Sequence, residues 1–148
     1  MVTVARVASH DPDGCDRFRV ELPTDLSTVG HVVEAVVACC TTAAAVSTRT
    51  QFRLCTIVAE AVSNAMVNGN RSDPSRLVVV EIECGAECIT IAVSDEGEGF
   101  DHRAVPDPTH ETTLAATRGR GLFMIRSLAD HVAFNDRGNT IWMTLPRC

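Results

Sequence analysis

The sequence predicts an α+β fold, a two-layer sandwich in which helices cover one face of a mixed, mostly antiparallel β-sheet. Two regions rich in β-branched residues with a period of two, 77–94 and 132–145, indicate hairpins. Two stretches with helical spacing precede the first hairpin, and a third lies between the hairpins. Helices grouped apart from a mostly antiparallel sheet are typical of this class.

The first predicted elements are a strand and a helix. Residues 18–22 alternate between apolar and charged side chains, as in a strand with one buried face, and Pro23 ends the strand. Ser27 or Thr28 can cap the helix that follows. One face of this helix is apolar and comprises Val29, Val32, Val33, Val36, Val37 and Cys40.

The second predicted helix begins at Thr48 or Thr50 and runs to Asn68, with Gly69 as its C-cap. The remaining predicted elements are strands over 77–84 and 89–94, a helix after Gly121, and strands over 132–134 and 140–145. The predicted order is therefore one strand, two helices, two strands, a loop, a helix and two strands.

Length and composition favour one cytoplasmic domain over residues 1–148, with 1–15 expected to be flexible. The chain has 148 residues, 45% of them hydrophobic, which is enough for one core. A formal charge of −6 provides no basic surface for nucleic acid or an anionic membrane. No stretch resembles a signal peptide or a membrane-spanning helix. We therefore expect partners that are proteins or small molecules.

The basic residues and the cysteines exclude several kinds of site. All 13 basic residues are arginine, so the chain lacks the lysine of a Walker A loop and of ordinary protein kinases. The seven cysteines include no CxxC pair, which disfavours a zinc ribbon or a disulfide framework. Cys84 and Cys88 flank a predicted turn closely enough to meet, but we expect free thiols in a reducing cytosol.

Three polar residues interrupt the apolar surface of the second helix. Glu60 and Asn64 are four residues apart and share a helix face, and Asn68 continues this stripe one turn later. Buried polar groups need partners, so these side chains either satisfy one another or line a ligand cleft. The spacing alone does not distinguish a cleft from a solvated helix face.

An acidic turn follows the strand that ends at Ser94. Asp95 stands at the strand end, and Gly97 and Gly99 allow a ligand to approach the backbone closely. The carboxylate can accept a proton from the exocyclic amine of adenine. Calcium is disfavoured because glycines stand where an EF-hand loop needs oxygen ligands. An ordinary acidic turn is the alternative.

The segment Arg118-Gly119-Arg120-Gly121-Leu122 is predicted to be a loop that opens a helix. Glycine N–H groups at a helix N-terminus can bind phosphate, and an arginine adds bidentate positive charge. The dinucleotide-binding fingerprint is incomplete, because Met124 occupies the position of its third glycine. Alone, this glycine pair is weak support for an anion site.

The order of these motifs is more specific than any one of them. A helix with ExxxN, a strand with DxGxG, a variable loop, GxG opening a helix, and Gly138-Asn139-Thr140 follow one another along the chain. In this order they resemble the N, G1 and G2 boxes of the GHKL ATPases, the superfamily of gyrase and histidine kinases, whose ATP site is of the Bergerat type. Segments 60–65, 95–101 and 119–125 are similar to those of bacterial anti-sigma-factor serine/threonine kinases.

This resemblance implies a role for each matching residue, with ATP and Mg²⁺ as cofactors. Glu60 would be the general base, Asn64 would bind magnesium, and Asp95 would recognise adenine. Residues 101–117 would form the ATP lid. Gly97 and Gly99 would lie close to the base, Gly119 and Gly121 would meet the phosphates, and Thr140 would support the adenine through water. The resemblance also assigns nucleotide binding to Asn68, Arg118, Arg120 and Leu122. Many relatives have histidine in place of Asn68, and an asparagine can donate to phosphate but cannot titrate.

The function implied is that of a cytoplasmic, homodimeric anti-sigma factor. Such a protein sequesters a sigma factor and phosphorylates a serine or threonine of an anti-sigma factor antagonist with ATP. One alternative is a nucleotide-gated binding protein with little or no kinase activity, and another is a module that partners a phosphatase or sensor domain. Glu60 favours the kinase, because a pure binder has little need of a base.

Overall fold

A computed structural model describes residues 2–7, 15–99 and 117–148, with residues 43 and 117–119 described by their backbone alone. The elements in chain order are β1 (Thr3–Val7), β2 (Asp16–Pro23), a 3-10 turn (Leu26–Thr28), α1 (Val29–Ala43), α2 (Thr48–Asn64), a π-helical turn (Ala65–Gly69), β3 (Leu77–Cys84), β4 (Cys88–Ser94), α3 (Thr117–Leu128), β5 (His131–Phe134) and β6 (Thr140–Pro146). The predicted lid, except for the backbone of Thr117, and residues 8–14 of the predicted flexible N-terminus lie outside the described residues.

The strands form one six-stranded sheet in the order β1-β2-β3-β4-β6-β5. Every pairing between neighbouring described strands is antiparallel. The predicted α+β sandwich is therefore confirmed, but the expectation of a mixed sheet is wrong for this part of the chain. Both predicted hairpins are present, β3 with β4 and β5 with β6.

One face of the sheet packs against the helices and forms the core. Alternate residues of four strands are buried on this face: Val20, Leu22, Val78, Val80, Ile82, Cys84, Ile89, Ile91, Val93, Ile141, Met143 and Leu145. They share one hydrophobic cluster with the apolar faces of α1, α2 and α3. The period of two in the strands and of 3.6 in the helices thus produces a two-layer core. Within the described chain, no helix combines the length and apolarity needed to cross a bilayer.

The helix N-termini differ in how they are capped. Ser47 caps α2, because its hydroxyl accepts the Thr50 N–H at 3.1 Å. Thr28 stands at the start of α1 but makes no capping bond there. The two predicted caps, Ser27 and Thr28, belong instead to the preceding 3-10 turn. That turn is capped by Asp25, which accepts the Ser27 N–H at 3.0 Å. A short side chain at this position satisfies one of the backbone donors that a helical turn leaves unpaired.

Strand β1 is an element that the sequence pattern does not predict. Thr3–Val7 pairs with Arg17–Glu21 of β2 at the edge of the sheet. All five residues of β1 are exposed, so no buried face appears as a period in the sequence. The strand is held by backbone pairing to β2, which local apolar patterning cannot reveal.

Candidate functional site

The last turns of α2 meet the first turn of α3 at Glu60, Asn64 and Gly121. A Cβ atom on Gly121 would lie 2.8 Å from both Glu60 Oε2 and Asn64 Nδ2. Two polar side chains therefore reach the same point on the α3 backbone, and they can do so because Gly121 has no side chain. Glu60 and Asn64, predicted to share one helix face, are both half-buried.

The predicted loop before α3 is instead helical. Helix α3 begins at Thr117, so Gly119 and Gly121 belong to its first turns. A helix that begins there pairs the Gly121 N–H with the Thr117 carbonyl, whereas the N–H groups of 117–119 have no intrahelical acceptor. The glycine spacing suggested a loop, but Gly121 serves the close packing of two helices. The side chain of Arg118 lies outside the described residues, and that of Arg120 is exposed.

Helix α2 changes its winding just after Asn64. Residues Ala65–Gly69 form a π-helical turn, closed by the Asn70 N–H donating to the Ala65 carbonyl at 2.7 Å. Asn68 lies in this wider turn, and its place on the stripe of Glu60 and Asn64 stays a prediction. Asn68 is half-buried but does not line the cleft described below. A π-helical turn inside a helix is frequent at functional sites.

Asp95 follows β4 and is held by contacts on both sides. Its N–H donates to the Asn139 carbonyl at 3.0 Å, and its Oδ1 accepts the Gly97 N–H at 2.8 Å. The carboxylate lies directly on Gly69, where a Cβ atom would come within 2.2 Å of Oδ2. Gly69 is therefore not the predicted C-cap: the left-handed residues after the helix are Arg71 and Ser72, and Gly69 makes room for Asp95.

The two glycines after Asp95 support the turn rather than line the cleft. A Cβ atom on Gly97 would lie 2.1 Å from the Gly69 carbonyl oxygen. Gly99 has a φ of +84° and lies against Arg137, whose carbonyl oxygen would be 1.8 Å from a Cβ atom there. The sequence suggested close approach of a ligand, but here the close approach is that of neighbouring backbone.

Asn70 is a residue of this site that the sequence interpretation missed. It is fully buried, and its Nδ2 donates to Thr24 Oγ1 at 2.9 Å and to the Leu77 carbonyl at 3.0 Å. Its Oδ1 accepts the Glu96 N–H at 2.8 Å. One amide thereby joins the end of α2, the end of β2, the start of β3 and the turn that carries Asp95. Only its position next to a predicted helix end could have indicated such a role.

A second side-chain amide, that of Asn135, stabilises the turn between β5 and β6. Asn135 Oδ1 accepts the N–H groups of Gly138, Asn139 and Thr140 at 2.9, 3.0 and 3.1 Å. Thr140 shares a hydrogen bond of 2.9 Å with Ser94 through their hydroxyl oxygens. These contacts fix the hairpin turn against the end of β4, next to Asp95.

A cleft of about 410 Å³, counted with its open mouth, lies between these elements. Its walls are mainly apolar and its polar groups stand on α2, after β4 and in the hairpin turn. The lining residues are Ala61, Asn64, Ala65, Val93, Asp95, Leu122, Ile125, Phe134, Gly138, Asn139, Thr140 and Ile141. Apolar walls with a few fixed polar groups suit a flat purine ring.

The predicted site residues thus fall into two groups. Asn64, Asp95, Leu122 and Thr140 line the cleft, and Glu60 meets Asn64 at its edge through Gly121. Asn68, Gly97 and Gly99 are not among the residues that line the cleft. For magnesium, Asn64 and Glu60 offer the oxygen ligands that this ion prefers. The described residues contain no group of three or more His, Cys, Asp or Glu side chains arranged so that they could hold a metal ion. Mg²⁺ held by one or two protein oxygens together with phosphates needs no such group.

Comparison with known proteins places this architecture in a family. Residues 21–145 match the model of the histidine kinase-like ATPase domain. The chain belongs to this family. Membership of an ATPase-domain family implies ATP as the ligand, in agreement with the apolar cleft beside Asp95 and Asn64.

Curated relatives of this ATPase domain include several anti-sigma F factors. The protein of that name from Geobacillus stearothermophilus is 28% identical over 98 residues, which is 63% of this chain and 67% of the relative. The one from Oceanobacillus iheyensis is 30% identical over 95 residues, which is 60% of this chain and 64% of the relative. The chain thus matches about two thirds of the length of these relatives. The resemblance to anti-sigma factors of the GHKL superfamily is confirmed.

Proposed function

We propose that this ATPase domain is an ATP-dependent serine/threonine protein kinase that acts as an anti-sigma factor, sequestering a sigma factor and phosphorylating an anti-sigma factor antagonist. The observation that most supports this proposal is that Glu60 and Asn64 meet at Gly121, at the edge of the cleft that Asp95 lines. A cleft that only binds nucleotide needs Asp95 and apolar walls but no carboxylate beside a metal-binding amide. The similarity to anti-sigma F factors supports the class of partner.

The cleft would bind the adenine ring. Ala61, Ala65 and Ile141 would contact its faces, and the Asp95 carboxylate would accept a hydrogen bond from the exocyclic amine. The Gly97 N–H bond fixes the carboxylate in place before the ligand arrives. Thr140 would contribute through water, as a hydroxyl already oriented by Ser94.

The phosphates would extend toward the start of α3. The N–H groups of its first turn and the positive end of its dipole attract anions, and Arg120 adds a charge there. Asn64 would hold Mg²⁺ through its amide oxygen, and bound Mg²⁺ supplies neutralisation of phosphate charge. Glu60 would accept the proton of the substrate hydroxyl when that hydroxyl comes within hydrogen-bond distance.

The kinase proposal is tested by replacing the base without changing its size. Purified wild type, Glu60→Gln and Glu34→Gln are incubated with labelled ATP, Mg²⁺ and co-purified antagonist candidates. We expect Glu60→Gln to transfer label about 10²- to 10⁴-fold more slowly, while its ATP affinity stays within about threefold. Glu34 is an exposed glutamate of α1, and its variant serves as the matched control with unchanged transfer. Full transfer by Glu60→Gln would contradict the assignment of the base.

A nucleotide-gated binding protein without kinase activity gives a different result in the same assay. Wild type would then bind ATP and transfer no label to any candidate, whereas partner capture would still depend on the nucleotide. That outcome rejects the kinase and retains the ATP site.

The proposal also takes a homodimeric assembly and a cytoplasmic location from the resemblance. Light scattering of the purified full chain tests the first, with a mass near twice 15.9 kDa as the expected value. Fractionation of cells that express the full-length protein tests the second.

A further inference from the structure

Two cysteines that are distant in sequence meet inside the fold. Cys40 lies near the end of α1 and Cys84 ends β3, and their Sγ atoms are 3.7 Å apart. Both side chains are almost completely buried. The sequence suggested Cys84 and Cys88 as neighbours across a turn, but Cys88 is exposed, whereas the partner of Cys84 comes from 44 residues away.

A buried guanidinium lies beside this thiol pair. Arg147 is 5% exposed, and its Nε donates to the Gly85 carbonyl at 2.5 Å. Its Nη1 donates to the carbonyls of Cys40 and Ala44 at 3.3 and 3.4 Å. These carbonyls accept from Nε and Nη1 but carry no charge themselves, and a buried charge is costly unless it is paired. The thiol of Cys84, whose pKa Arg147 lowers, can supply the negative charge.

The surrounding groups favour ionisation of Cys84 over Cys40. The hydrogen bond with Cys40, together with Arg147, lowers the pKa of Cys84 against the opposing effects of burial and of Asp16. The same hydrogen bond, burial, and the neighbouring thiols of Cys84 and Cys39 raise the pKa of Cys40, while Arg147 acts the other way. Arg147 thus favours a thiolate at Cys84, and burial among the other thiols disfavours one at Cys40.

We propose that Cys40 and Cys84 are an oxidation site that forms an intrachain disulfide when the protein meets a small peroxide. The inference rests on the geometry of the two sulfurs and Arg147 and is independent of the kinase proposal. It is also remote from the cleft, because Cys84 and Asp95 stand at opposite ends of the β3–β4 hairpin.

The reaction has two steps. The Cys84 thiolate attacks one oxygen of hydrogen peroxide, the O–O bond breaks, and hydroxide leaves and takes up a proton to become water. Cys84 is thereby oxidised to a sulfenic acid and the peroxide is reduced. The Cys40 sulfur then attacks the Cys84 sulfur, the S–O bond breaks, and the proton of Cys40 leaves with the hydroxyl group as a second water.

Peptide mapping can identify the bridge directly. Trypsin can cleave this lysine-free chain only after arginine, which places Cys39 and Cys40 on peptide 20–49 and Cys84 and Cys88 on peptide 77–103. In a Cys39→Ser/Cys88→Ser variant each peptide keeps one cysteine. After one equivalent of hydrogen peroxide and digestion without reductant, we expect these two peptides to be linked, and dithiothreitol to separate them.

Two further variants test the participants. Adding Cys84→Ser to the double variant should abolish the linked peptide. Arg147→Met should slow bridge formation about tenfold, whereas Arg147→Lys, which keeps the charge, should stay closer to the double variant. If peroxide leaves both cysteines reduced, or links them mainly to Cys55 or Cys148, the proposal is wrong. The mapping of the double variant decides this even if the arginine variants fail to fold.

Discussion

At the scale of single residues, the site depends on glycines, which have no side chain, as much as on its polar side chains. Asp95 can lie on the backbone of α2 because Gly69 has no Cβ atom. Gly97 approaches the Gly69 carbonyl for the same reason. The Asp95 carboxylate, which would bind adenine, is thus positioned by two glycines that do not themselves line the cleft.

We expect Gly69→Ala to disturb Asp95 specifically. The added methyl would stand 2.2 Å from Oδ2, so the carboxylate must move. Overpacking of this kind costs about 1–3 kcal/mol of unfolding free energy, and ATP affinity should fall about tenfold or more. Denaturant unfolding and ATP titration measure the two effects. Gly30→Ala is the control, because nothing lies within 4 Å of its new methyl and it should be neutral or slightly stabilising.

The buried amide of Asn70 gives a second prediction at this scale. Asn70→Ala leaves the Glu96 N–H and the Leu77 carbonyl without their partner, and should lower the free energy of unfolding by about 3 kcal/mol. Thr24→Val removes one of the bonds to Asn70 and the hydroxyl bond to the Arg76 carbonyl, which keeps the Thr24 N–H, and should cost only about 1–2 kcal/mol. Equal losses in urea unfolding of the two variants would contradict the central position given to this amide.

At the scale of elements, the contact of α2 with α3 is the critical packing event. Gly121 lets the two helices approach where Glu60 and Asn64 lie. We expect Gly121→Ala to slow label transfer at least tenfold, because the new methyl would stand 2.8 Å from both side chains and displace them. Ser127→Ala, an exposed change in the same helix, is the control and should leave transfer unchanged. Equal rates for the two variants would contradict this packing.

The elements themselves were largely predictable from the sequence. Strands with one buried face and helices with an apolar stripe carry their period in the chain, which is why both hairpins and α1 were found. Strand β1 has no buried face, and the first turns of α3 contain two glycines whose spacing suggested a loop, so neither was recognised from a local pattern. The π-helical turn was missed because no residue type in Ala65–Gly69 distinguishes such a turn from the end of an α-helix.

At the scale of the whole molecule, the order of the motifs along the chain predicted more about the site than any single motif did. The chain order of Glu60, Asp95 and the Gly119–Gly121 segment indicated one cleft, and Asn64, Asp95 and Thr140 do line it together. Contacts between distant residues were not predictable. Asn70 with Thr24 and Cys40 with Cys84 depend on how layers and turns meet, and single-sequence patterns carry no record of that.

The central claim is that the cleft beside Asp95 binds ATP by its adenine ring, and calorimetric titration with ATP and GTP in the presence of Mg²⁺ tests it. The wild type should bind ATP more tightly than GTP, because a carboxylate accepts from the amine of adenine but repels the carbonyl oxygen of guanine. Asp95→Asn should bind ATP about 10- to 100-fold more weakly and lose this preference. Equal affinity of the wild type for the two nucleotides, or an Asp95→Asn variant that binds ATP unchanged, would contradict the account.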